Sequence, residues 1–265
     1  MSTLTMPDYL HAYLQELPLH RAIVRSLEAR LYRTYAGHLS GPILDVGSGD
    51  GSFAQVVLPG ADIYGIDPLP ADTREAAGRG AYRGLSVASG AAVPFADASF
   101  ASTICNCVLE HVVPLRETLA EIGRVTRPGG IFIATVVTDR FSASLLGHQL
   151  LERAGLPGAR YSDWLNRKAN HHNLLSREGW AAEMNRVGFD VVEQLPYLGR
   201  RMMQIFDFGH YWALPSLLSH RLTGRWHLSE RANINRVWEQ ALREGYEQPI
   251  DEDGTCLFLL CRRRG

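Results

Sequence analysis

Ile43-Leu44-Asp45-Val46-Gly47-Ser48-Gly49-Asp50-Gly51-Ser52-Phe53 is the stretch on which the reading of this chain turns. Apolar residues around a single Asp form the pattern of a short buried strand. Glycines follow at every second position, Gly47, Gly49 and Gly51, and a helical pattern opens at Ser52. A strand that breaks into a glycine turn and then a helix brings backbone N–H groups and a helix N-terminus close to a ligand. The dinucleotide spacing, G-x-G-x-x-G, would require a glycine at position 52, where the chain has Ser. Asp45 also argues against a pyrophosphate, because a carboxylate repels phosphate and attracts an ammonium or a sulfonium. The expected ligand carries positive charge near this turn.

A second apolar run, Ala61 to Ile66, closes with Asp67, 22 positions after Asp45. An acidic residue at the end of a second strand is where a ribose diol is held in a doubly wound fold. Taken alone, Asp67 reads equally well as a turn residue before Pro68. Further along come Val93-Pro94-Phe95-Ala96-Asp97-Ala98-Ser99-Phe100, then Val108-Leu109-Glu110-His111, then Glu121-Ile122-Gly123-Arg124-Val125-Thr126-Arg127-Pro128-Gly129-Gly130. In this order, from Ile43 to Val137, the blocks resemble the class I S-adenosylmethionine-dependent methyltransferases, in particular their type 11-like small-molecule members. Two positions depart from the family pattern. Ser89 stands before Gly90 where an acidic residue usually meets the adenine amino group, and Ala101 follows the Ser-Phe pair where Asp is usual.

The resemblance implies S-adenosyl-L-methionine as cofactor. Its contacts are expected from Asp45, Gly47, Ser48, Gly49, Asp67, Pro68, Ser89, Gly90, Asn106, Cys107 and His111. It also implies an α/β fold: a Rossmann-like seven-stranded sheet, mostly parallel, with the last strand antiparallel between the fifth and sixth and helices on both faces. Strands are expected near Ile43–Val46, Ile63–Ile66, Gly84–Ala88, Ser102–Asn106, Ile131–Val137, Phe189–Leu195 and Cys256–Cys261. The alternation with helical stretches supports a parallel sheet wrapped on both sides.

The chain has 265 residues and 46% apolar content, enough for one large α/β domain with insertions. Its 27 basic and 28 acidic residues leave a net charge of −1, so no general attraction to nucleic acid is expected. Cys105, Cys107, Cys256 and Cys261 form no C-x-x-C pair and lie in apolar runs, which reads as reduced core thiols in a cytoplasmic protein. The N-terminus lacks a basic segment followed by an apolar core, so no signal peptide is expected.

Within a single domain over 1–265, the spacing predicts an N-terminal helical segment over 1–40, with a helix from Leu19 to His38, and a cofactor-binding half over 41–137. A helix after Pro114 carries Leu115, Leu119, Ile122 and Val125 and is expected to stop at Pro128-Gly129. Ser176 caps a helix that stops at Gly188. Two segments fall outside the repeating pattern, 138–175 and 196–254, and long connections usually have structure or function of their own. In the second, Ser229 is expected to open a helix closed by Gly245. The stretch from Met202 to Leu214 is dense in aromatics and Met, and Asp207, His210 and Pro215 interrupt it. It is too short to span a membrane. Three readings stand for this helical insertion: a subdomain packed on the core, a lid over an apolar acceptor, or a membrane-surface patch.

Methyl transfer from a sulfonium needs positioning, exclusion of water and, for some acceptors, a base. His171 and His172 are candidate proton acceptors, since histidine titrates near neutrality, and the alternative is that both are loop residues. His11, Tyr13, Phe206 and Tyr211 are candidate acceptor contacts. No metal site is expected, because the adjacent histidines lack a third ligand. The expected activity is methylation of a small, apolar or lipid-like molecule at O, N or C. A non-catalytic protein that binds S-adenosylmethionine, as a regulatory or scaffold subunit, is the alternative.

Overall fold

The first strand, β1 (Ile43–Val46), is buried at every position, as a strand flanked on both sides must be. It lies in a seven-stranded sheet seen in a computed structural model that describes residues 6–223 and 234–265. The other strands are β2 (Ile63–Asp67), β3 (Gly84–Val87), β4 (Phe100–Asn106), β5 (Thr126–Val137), β6 (Phe189–Tyr197) and β7 (Cys256–Arg263). Their order is β3-β2-β1-β4-β5-β7-β6. β1 pairs in parallel with β2 and β4, β2 with β3, and β4 with β5, while β7 runs antiparallel to β5 from Ile131↔Arg262 to Val137↔Cys256. This is the sheet that the sequence implied, with the last strand between the fifth and sixth.

Helices α1 (Tyr9–Glu16) and α2 (Leu19–Tyr35) precede the sheet, and α3 (Ser52–Val57), α4 (Pro70–Arg79) and α5 (Leu115–Val125) alternate with its strands. After β5 come α6 (Arg140–Ser144), α7 (Leu146–Arg153), α8 (Ala159–Ala169) and α9 (Arg177–Arg186). Between β6 and β7 lie α10 (Arg200–Trp212), α11 (Leu214–Thr223) and α12 (Glu239–Glu247). No described helix is long and apolar enough to cross a membrane.

The chain divides into two units. A sheet unit comprises Tyr32–Asp139, Lys168–Leu195 and Cys256–Gly265; a helical unit comprises the described residues of Met1–Leu31, Arg140–Arg167 and Pro196–Thr255. The core of the sheet unit gathers Leu44, Val46, Phe100, Leu119, Ile122, Phe132, Trp180, Met184 and Leu259 around the strands. Trp180 is wholly buried, and its indole N–H donates to Val137 O at 3.1 Å. The Ser176 cap forms as expected: its side chain accepts from Gly179 N–H, and Gly188 follows the helix at φ +87°.

Several boundaries differ from expectation, each for a packing reason. α5 stops at Val125, short of Pro128-Gly129, and the chain enters β5 at once. There the Thr126 hydroxyl donates to Ile122 O at 2.6 Å, closing the last turn. Gly245 lies inside α12, since a Cβ there would stand 2.7 Å from Met202 Cγ. That glycine serves close approach, and Ile234–Trp238 before it is a 3-10 turn. Ser229 lies outside the described residues. Asp207 and His210 do not interrupt α10. Asp207 is 1% exposed and accepts from Gly147 N–H and the Tyr161 hydroxyl, so its charge is satisfied within the helical unit. Cys105, Cys256 and Cys261 are buried free thiols, whereas Cys107 sits just beyond β4 at φ +50° and is only half-buried.

Candidate functional site

Because β1 is flanked by β2 on one side and β4 on the other, the chain reverses its direction of travel across the sheet at β1. A crevice forms outside the carboxyl ends of the strands at such a switch point. The residues that close β1, β2 and β4 meet at that edge: Gly47-Ser48-Gly49, Asp67-Pro68 and Asn106-Cys107. Gly47, Gly49 and Gly51 all have positive φ, +79°, +52° and +78°. A Cβ at Gly47 would stand 2.4 Å from Val108 Cγ2, so the turns after β1 and β4 touch there. Gly90 belongs to the same neighbourhood, since its Cβ would approach Val46 Cγ1 at 3.3 Å. At Gly49 a Cβ would meet nothing within 4 Å. The central glycine thus faces open space, while its neighbours are there for packing.

The turn uses its own N–H groups. Gly47 and Ser48 donate to Ile66 O at 2.9 and 3.0 Å, Gly51 donates to Ser48 O, and Gly49 donates to Asp67 Oδ2 at 3.0 Å. The expectation of N–H groups aimed at a ligand is therefore corrected at these four positions. What the turn offers is a close backbone surface. Asp67 also accepts from Leu69 N–H at 2.8 Å, so the turn role and a ribose role coexist in one side chain. Each of its oxygens accepts one of these bonds, which leaves lone pairs for further donors.

Asp45 is 4% exposed and accepts the Tyr82 hydroxyl at 2.7 Å. Burial, with Asp45 alongside, drives the Tyr82 phenol far above its usual pKa and keeps it a donor. Asp45 thus acts on the turn from within the sheet. Tyr82 escaped the sequence reading because its partner lies 37 residues away in another element.

At the end of β4, the Thr135 hydroxyl donates to Asn106 Oδ1 at 2.8 Å, and Cys107 N–H donates to Thr135 O and Oγ1. A 3-10 turn, Leu109–His111, follows, and Glu110 O accepts from His172 N–H at 2.7 Å and Asn173 N–H at 3.0 Å. The Asn173 amide donates to Leu109 O and Val112 O. This set of bonds brings His111 and His171 together, ring centroids 5.2 Å apart. Burial, aided by His111 and His172, pulls the His171 pKa down to about 4. His171 is neutral at pH 7 and a weaker base than an ordinary histidine, whereas His172 and His111 are exposed. Ser89 is exposed, and its hydroxyl accepts from Ala91 N–H at 3.2 Å. The motif residues Glu121 and Arg124 are structural. Glu121 accepts from Val93 N–H, and Arg124 donates to Val93 O, Phe95 O and Asp97, pinning the loop before β4.

The acceptor candidates lie in the helical unit. The His11 ring bonds Glu239 at 3.2 Å, and Tyr13 is 5% exposed with its hydroxyl buried and unpartnered among the described residues. Phe206 packs edge-on against His210, centroids 4.8 Å apart, and Tyr211, half-exposed, donates its hydroxyl to Tyr161 at 3.0 Å. Met202 and Met203 are core residues.

A family described as "Methyltransferase domain" matches residues 44–134, the span that holds the glycine turn, Asp67, Asn106 and the Glu121–Arg124 clamp. Over residues 44–134 the chain is thus similar to a methyltransferase domain, in line with the resemblance that its motifs carry. An uncharacterized methyltransferase of Mycolicibacterium gilvum is 36% identical over 134 residues, 49% of this chain and 51% of the relative. The chain thus spans about half the length of the curated relatives it matches. In fold it is similar to a geranyl diphosphate C-methyltransferase of Streptomyces coelicolor, with a TM-score of 0.58, 16% identity and coverage of 99% of this chain and 83% of that one. It is also similar in fold to a [4+2]-cyclase, with a TM-score of 0.55, 19% identity and coverage of 89% and 80%.

S-adenosyl-L-methionine is the cofactor of this methyltransferase domain. The residues present fit it. Gly49 leaves room above the turn, Ser48 is 7% exposed and its buried hydroxyl has no partner among the described residues, and Asp67 keeps acceptor capacity for a diol. Among the described residues, no group of three or more His, Cys, Asp and Glu side chains could hold a metal ion.

Proposed function

We propose that the chain transfers a methyl group from S-adenosylmethionine to a small, apolar or lipid-like acceptor at an O, N or C nucleophile. The observation that carries this reading is the convergence of Gly47–Gly49, Asp67, Gly90 and Asn106-Cys107 at one carboxyl edge of a parallel sheet. The cofactor supplies an activated methyl on sulfur. Asp67 holds the ribose, Ser48 and the face at Gly49 seat the amino-acid part, and Asn106, fixed by Thr135, shapes the adjoining wall. Where the acceptor must lose a proton, His171 or His172 takes it, His171 through an uncharged ring at neutral pH.

Acceptor choice is assigned to the helical unit, with Phe206 and Tyr211 as the residues to vary. Fold neighbours of this sheet include both a methyltransferase and a cyclase, so the fold by itself does not select a reaction. That observation also supports a second reading, a cofactor-binding protein without methyl transfer. Calorimetry with S-adenosylhomocysteine, followed by a radiolabelled-methyl assay across apolar alcohols, amines and enolisable carbon acids, separates the two. Binding with label transferred to an acceptor supports the first reading. Binding without transfer to any of them supports the second, and preference for NAD overturns both.

A further inference from the structure

The exposed leucines of α11 match no role described so far. Leu217, Leu218 and Leu222 are 37%, 61% and 76% exposed, and Arg221 is exposed beside them. At about 100° per residue the four lie within an arc of roughly 140°, a continuous apolar stripe with one cation in it. The sequence around this helix is unusual in charge. Between Asp207 and Glu230 there is no acidic residue in 22 positions, although 28 acidic residues in 265 would place about two there. The same stretch holds Arg221, Arg225 and Trp226.

An apolar stripe alone would suit several occupants, and the charge pattern chooses among them. A second copy docked about a two-fold axis through this stripe would set Arg221 near its own image, a like-charge pair at the centre of the contact. A face with leucines, arginine and no carboxylate complements a surface that is apolar beneath and anionic above. We propose that α11 docks the helical unit on an anionic lipid surface, its leucines entering the headgroup boundary and Arg221 pairing with lipid phosphates.

Vesicle flotation of the full chain tests this, with phosphatidylcholine vesicles and with vesicles containing one quarter phosphatidylglycerol. The expected result is binding to the anionic vesicles that weakens with salt. Leu218→Glu with Leu222→Glu should lower the partition coefficient roughly tenfold or more, since it removes the inserted side chains. Arg221→Gln should lower it about fivefold on anionic vesicles only, and this milder variant decides the matter if the double variant fails to fold. Failure of the wild type to float with either vesicle overturns the proposal, as does equal binding to both that is indifferent to Arg221→Gln. A wild type that is dimeric by light scattering, made monomeric by the double variant and never vesicle-bound, overturns it in favour of a contact between copies.

Discussion

Gly47 and Gly245 are both hemmed in, yet for different reasons. A Cβ at Gly47 would stand 2.4 Å from Val108 in a turn at φ +79°, and one at Gly245 would stand 2.7 Å from the Met202 side chain in mid-helix. In the sheet unit the glycine is required by the backbone's own conformation, and its regular spacing makes that requirement visible along the chain. In the helical unit the crowding comes from a flexible side chain 43 positions away, which spacing along the chain does not reveal. The sheet unit is built from local rules that place chemistry at strand ends. The helical unit is built from long-range packing that local rules do not reveal.

Gly47→Val should break the first half of this comparison most severely. Positive φ and collision with Val108 together should cost on the order of 3–5 kcal/mol, and binding of S-adenosylhomocysteine should be lost with a clear drop in Tm. Gly49→Val carries only the backbone strain of φ +52°, about 1–3 kcal/mol, since a Cβ there meets nothing within 4 Å, so it should lose binding while the fold persists. If both variants melt alike, the distinction between packing and ligand-facing glycines fails.

Next in size is the histidine pair. Replacing His171 and His172 with Ala should lower turnover by roughly 100-fold with cofactor affinity little changed, as expected of a general base. With the His171 pKa at about 4, the acid limb of kcat/KM should fall there and not near 6.5. The same depression makes the unfolded chain bind a proton that the folded chain refuses, so stability should decline as pH drops from about 6.5 towards 4. His171→Ala should flatten that slope in urea titrations across the window. Unchanged turnover returns the pair to the loop.

Asp67→Ala should weaken S-adenosylhomocysteine binding roughly 10- to 100-fold, at about 1–3 kcal/mol for lost charge-assisted bonds. It should also lower Tm, because the Gly49 and Leu69 N–H groups lose their acceptor. A fall in Tm without any change in binding would make Asp67 a turn residue only.

The smallest effect is expected at Gly245→Ala. Gained helix propensity of about 1 kcal/mol should offset the displacement of a flexible Met202 side chain, leaving Tm within a few degrees. A large loss would show that α12 packs more rigidly than a thioether neighbour suggests.

The sequence by itself determined the strand order through family resemblance, the glycine turn, Asp67, and the Ser176 and Gly188 ends of α9. Apart from the strand order, these depend on neighbours along the chain: φ at a turn, a cap three residues away, an apolar stripe at helical spacing. Only the tertiary structure decided that Tyr82 bonds Asp45, that the N–H groups of the turn are already used, and that His171 is buried against His111. It also decided that Asp207 sits satisfied inside α10, held by Gly147 and Tyr161 from other helices. The physical reason is one of range. Backbone conformation and capping are set within a few residues, whereas the burial that shifts a pKa or satisfies a carboxylate depends on which distant segments arrive beside it.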